Sequence, residues 1–114
     1  MKIFTIYNLM FLILEELYEE TKNENLNTFL SEANPYVWEG ENSGDPAIYS
    51  HFKLNFKDEN YVDYAYDYIV DFLSNQKYYD GIVDIFKSLS KEEYVDTCDH
   101  IIKDQPQLLK EIKC

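Results

Sequence analysis

The chain has 114 residues, 46% of them hydrophobic, and a net charge of −12 set by 22 acids against 10 lysines and no arginine. That length suits one domain with its own core, while the acidity argues against nucleic acid, whose phosphates need a basic patch, and against anionic membrane surfaces. With only three glycines and three prolines the tight turns of an all-β sandwich are not available, so residues 1–114 are expected to form a single all-α domain, a compact bundle of about six helices plus a short C-terminal helix.

Residues 2–22 open with an apolar run from Ile3 to Leu14. The run has no small-residue cleavage site and leads straight into Glu15-Glu16-Leu17-Tyr18-Glu19-Glu20, so it reads as a long first helix rather than a signal peptide. It is also too short to span a bilayer. Ile3, Tyr7, Met10, Leu14 and Leu17 recur at helical spacing, with Thr5, Asn8, Glu15 and Glu19 outside that stripe.

Asn23 is placed to cap a second helix in which Leu26, Phe29, Leu30 and Ala33 point inward, and Pro35 ends it at Asn34. The loop from Asn34 to Gly44 is the longest irregular stretch and holds the single Trp. Asp45-Pro46 starts a third helix, the Asp as cap and the Pro at the first helical position. Its apolar stripe is Ile48, Tyr49, Phe52 and Phe56.

The stretch Tyr61–Leu73 is expected to be the central helix, capped by Asp58 or Asn60. Val62, Ala65, Tyr66, Ile69, Phe72 and Leu73 fall on its apolar face, Tyr61, Tyr64 and Tyr68 on a second stripe, and Asp63, Asp67 and Asp71 stack on the opposite side. Asp80 is read as the cap of a fifth helix carrying Ile82, Val83, Phe86 and Leu89. Ser90-Lys91-Glu92-Glu93 matches a capping box, with Tyr94, Val95, Cys98, Ile101 and Ile102 on the face of the sixth helix. Beyond Pro106, residues Leu108, Leu109 and Ile112 suggest the short terminal helix.

Little catalytic chemistry is visible. His100 lies among Glu92, Asp96 and Lys103 and reads as a solvated side chain, and His51 has no acid near it in sequence. The spacing of His51, Cys98, His100 and Cys114 fits no zinc pattern. No Glu-x-x-His accompanies the Glu15, Glu16, Glu19, Glu20 quartet, so that quartet reads as a solvated face and not a di-metal site. Gly-x-Ser-x-Gly and phosphate-loop signatures do not occur. No cofactor or metal is expected. Cys98 and Cys114 read as reduced thiols in a cytoplasmic protein.

What the sequence offers instead is charge and aromatic surface. The Asp63/Asp67/Asp71 stripe costs a helix under about 1 kcal/mol, so it does not demand a ligand. Tyr36 and Trp38, beside Glu39, have the composition of a binding hot spot. A lone Trp more often folds back as a lid over the core. The expected function is therefore a non-enzymatic interaction module that binds a basic partner protein, an inhibitor of the bacterial immunity kind being one example. The partner is expected to meet the Trp38 loop (Tyr36, Trp38 and Glu39), the acidic side of the central helix (Tyr61, Asp63, Tyr64, Asp67, Tyr68 and Asp71), or both. A small carboxylate-based hydrolase or metal enzyme and an oligomerising scaffold are the alternatives, and the oligomeric state is left open.

Overall fold

In the computed structural model, which describes residues 2–57, 63–76 and 79–109, helix α1 (Ile3–Thr21) is the element the others cover. Every residue from Phe4 to Leu14 is buried. A helix apolar on all sides can only sit inside a protein, and the run from Ile3 to Leu14 meets that description except at Thr5 and Asn8. Those two were expected outside the buried stripe; both are buried, and Asn8 satisfies its amide by donating to the Tyr36 hydroxyl at 2.9 Å. From Glu15 onward α1 becomes amphipathic, with Glu15, Glu16, Glu19 and Glu20 exposed. It stops at Lys22, a left-handed residue whose N–H donates to the Tyr18 carbonyl at 2.7 Å.

Helices α2 (Glu24–Ala33) and α3 (Pro46–Lys53) begin as their caps foretell. Asn23 accepts from the Leu26 N–H at 3.0 Å and Asp45 from the Ala47 N–H at 3.1 Å. They bury Leu26, Phe29, Leu30 and Ala33, and Ile48, Tyr49 and Phe52. The Tyr7 hydroxyl, deep in the core, donates to the Ala33 carbonyl at 2.6 Å and so joins the middle of the bundle to the end of α2. Tyr49 and Phe52 pack edge to face on the Tyr7 ring, Phe4 stacks on its face, and Phe52 meets Phe72 at 4.9 Å between ring centroids.

The central helix is shorter than its pattern. α4 covers Tyr66–Ser74 only, burying Ile69, Phe72 and Leu73. Asp63, Tyr64 and Ala65 instead form a tight turn with φ of 51°, 57° and 61°. Left-handed backbone costs an L-residue roughly 1–2 kcal/mol, and periodicity cannot reveal it, because the turn keeps helical spacing with the opposite hand. Tertiary contacts hold it. Tyr94 donates to the Tyr64 carbonyl at 2.9 Å, the Tyr64 hydroxyl donates to Asp99, and Ala65 is buried. The expected caps Asp58 and Asn60, with Tyr61 and Val62, lie outside the described residues.

α5 (Ile82–Phe86) is a short helix entered through Gly81 at φ 85°, so the N-cap is Gly81 and not Asp80. The Asp80 carbonyl accepts from the Asn25 amide at 3.0 Å instead. α6 (Lys91–Asp104) carries the full capping box: Ser90 accepts from the Glu93 N–H at 3.1 Å, and Glu93 accepts from the Ser90 N–H at 2.9 Å. Those bonds to the carboxylate lower the Glu93 pKa. After α6 comes a single 3-10 turn, Pro106–Leu108, and Leu109 is buried. Ile112 lies outside the described residues.

The architecture is thus all-α: among the described residues there are six α-helices and no strand, around one buried cluster to which all six contribute. No helix among them is long and apolar enough to cross a membrane.

Candidate functional site

The loop between α2 and α3 is built around Ser43, which is fully buried. Its hydroxyl donates to the Asp45 carbonyl and accepts from the Tyr49 N–H at 3.0 Å. Its carbonyl receives the Trp38 indole N–H at 2.7 Å. At Gly44 the loop passes so close to α2 that an added Cβ would meet the Ser31 and Glu32 carbonyl oxygens at 3.1 Å. The adjacent Asp45 N–H donates to that Glu32 oxygen at 2.6 Å.

On this pinned backbone Tyr36, Val37 and Trp38 remain 44%, 56% and 48% exposed, followed by the exposed acids Glu39 and Glu41. Trp38 is therefore not a lid sealed over the core. Its indole N–H is spent on the loop itself, which leaves half the ring to solvent. Tyr36 is anchored differently. Its ring meets Phe11 edge to face at 6.0 Å, and its hydroxyl accepts from Asn8 and donates to the Leu108 carbonyl. Burial raises its pKa, with the nearby Glu15 charge adding to the rise.

The acidic residues of the 63–71 region occupy another place. Lys91, at the start of α6, lies 3.3 Å from the Asp63 carboxylate and 3.6 Å from that of Asp67. Hydrogen bonding to Asp63, with the Asp67 charge, raises the Lys91 pKa. Two of the three stripe acids are thus already paired within the protein. A shallow hollow opens beside them, lined by Asp63, Lys91, Glu92, Val95 and Asp96. Asp71 faces a smaller one with His51, Tyr68 and Asn75. Tyr64 and Tyr68 are half-buried, and their hydroxyls bond to Asp99 and to the Phe52 carbonyl. The Tyr64 hydroxyl is pushed up to about 12, chiefly by its bond to Asp99. Tyr61 lies outside the described residues.

The two expected regions lie apart. Lys91 and Gln105 stand at opposite ends of α6, about 20 Å apart at the helical rise. The paired acids gather at the first end, and the Tyr36 contact to Leu108 lies near the second.

The residues of possible chemistry stay apart as well. His51 contacts Gln76 at 3.3 Å and stacks tilted on Phe72, while His100 pairs with Asp104 at 3.0 Å. Cys98 is a buried thiol pushed up to about 12 by desolvation, the opposite of an activated nucleophile. No cluster of three His, Cys, Asp or Glu with metal-holding geometry occurs among the described residues.

A groove beside the carboxylates of α1 has no counterpart among the expected sites. Leu12, Ile101 and Leu108 contribute its apolar lining, and Glu15, Glu16 and Glu19 its rim. The Glu quartet was visible as a charged face, but nothing in the sequence places Ile101 and Leu108 against it. No protein-family model matches the chain, and neither does a curated protein or a solved structure.

Proposed function

We propose that this protein is a non-enzymatic acidic interaction module that binds a basic partner protein, in the manner of an inhibitor or immunity protein. The observation that carries this reading is the Trp38 loop: three successive exposed apolar side chains, Tyr36, Val37 and Trp38, precede Glu39 and Glu41 on a backbone fixed by Ser43 and Gly44. Rigid aromatic rings give contact area at low entropic cost, and surrounding acids steer a basic partner and reject acidic ones.

Capture on the immobilised protein, with the retained chain identified and its interaction measured, tests the proposal. The expected partner is basic, binds faster at low salt, and dissociates at least roughly ten-fold faster from Trp38→Ala. Trp38→Ala should melt close to the parent protein, since the ring is half outside. An acidic partner, or one indifferent to Trp38→Ala, overturns the reading.

A carboxylate hydrolase is the second reading, favoured by the meeting of Asp63 with Glu92 and Asp96 in one hollow. It ranks lower because Lys91 already engages Asp63, and among the described residues no histidine or nucleophilic hydroxyl lines that hollow.

A further inference from the structure

The groove between α1 and the end of α6 has an apolar lining and an acidic rim. Leu108 is 39% exposed there, and Leu12 and Ile101 lie beneath. Among the described residues the Glu15 and Glu16 carboxylates form no hydrogen bond or ion pair, whereas Glu19 meets Lys22 at 2.7 Å. Lysines elsewhere are drawn to acids, as Lys91 is to Asp63 and Asp67, yet among the described residues no lysine pairs with Glu15 or Glu16. Glu15 also carries a raised pKa, first from burial and then from the Glu19 charge beside it.

Resting on the interaction reading above, we infer that this groove seats a basic amphipathic helix of the partner protein, its lysines or arginines on Glu15 and Glu16 and its apolar face on Leu108. The other peptide-binding modes lack their structural requirement. An added β-strand needs a sheet edge, and no strand exists among the described residues. A proline-rich segment needs an aromatic trough, and among the described residues no aromatic side chain lines this groove. A helix fits on both counts. Its apolar side chains ride in the groove between two existing helices, and its cations meet the rim carboxylates that the described chain leaves without a lysine, Glu15 and Glu16.

The test titrates the full-length, isotope-labelled protein with a synthetic amidated helix that carries leucines on one face and lysines on the other. A control peptide has every leucine replaced by glutamine, at the same charge. The expected result is saturable amide shifts at Leu12, Glu15, Ile101 and Leu108 with the first peptide and none that saturate with the control. Glu15→Gln with Glu16→Gln should weaken binding about ten-fold at low salt, Leu108→Gln should speed dissociation, and Asp67→Asn should change neither. Shifts centred on Asp63, Asp67 and Lys91, or equal binding of the control peptide, would overturn the inference. So would concentration-dependent self-association with the groove as its interface. If a basic partner is captured through Trp38 but ignores Glu15→Gln/Glu16→Gln, the groove falls and the interaction module stands. If the peptide saturates the groove while every captured chain is acidic, the interaction module falls and the groove stands.

Discussion

The seam between α4 and α6 and the groove between α1 and α6 both present carboxylates, and they use them oppositely. At the seam Asp63 and Asp67 share Lys91, and Asp99 accepts from Tyr64, so the acids fasten one part of the chain to another. At the groove Glu15 and Glu16 fasten nothing among the described residues. A stripe of acids in a sequence is therefore ambiguous until its cations are located. Lys91 lies far along the chain from Asp63 and Asp67, and no helical wheel brings them together.

The largest expected effect lies inside the seam, at high pH. Cys98, ordinarily near 9.0, is pushed up to about 12, and burial raises Tyr7 and Tyr94 as well. The folded chain keeps protons that the unfolded chain releases, so stability intact below pH 9 is lost as pH rises toward 12. At roughly 1.4 kcal/mol per pH unit, Cys98 alone contributes about 4 kcal/mol of that loss. Melting temperatures across the alkaline range should fall through this window, with a shallower slope in Cys98→Ala. A flat profile would show that the seam opens to solvent.

A smaller effect concerns the left-handed turn. Ala65→Gly should stabilise the protein by about 1 kcal/mol in urea unfolding, because glycine adopts the positive φ freely and the relief exceeds its entropic cost. Destabilisation would mean that the Ala65 methyl packs better than its backbone suffers.

The smallest effects contrast the two surfaces directly. Lys91→Ala should lower the melting temperature at low salt and lose that effect at high salt, as an exposed ion pair does. Glu15→Gln should leave stability within about 0.5 kcal/mol, or raise it. The sign follows from the raised Glu15 pKa: the folded chain takes up that proton more readily, so the contribution is best at acid pH and is lost as pH rises past 4.5. If both substitutions destabilise alike, the contrast between seam and groove fails.

What the sequence made legible follows from how local each signal is. Asn23, Asp45 with Pro46, and the Ser90–Glu93 box could be read directly, since each cap bonds within a few residues of itself. The apolar stripes of α2, α3 and α6 were legible for the same reason. The turn at 63–65 was not, because Tyr94 and Asp99 hold it from another helix. Trp38 was ambiguous for a similar cause: whether its ring points inward depends on where the Ser43 carbonyl waits for its N–H. The burial of Thr5 and Asn8 depends on neighbours that cover α1, such as Tyr36.

The bond from the Asp45 N–H to the Glu32 carbonyl gives the Trp38 loop a further property. The loop leaves α2 and returns to the same helix end, so its two feet are clamped beside each other. Closing a loop costs entropy that grows only with the logarithm of its length, about 0.6 kcal/mol for a doubling. Substitutions or insertions around Glu39, Gly40 and Glu41 are consequently cheap for the rest of the protein. A lineage could rewrite the tip, and with it the choice of partner, while the helices beneath stayed as they are.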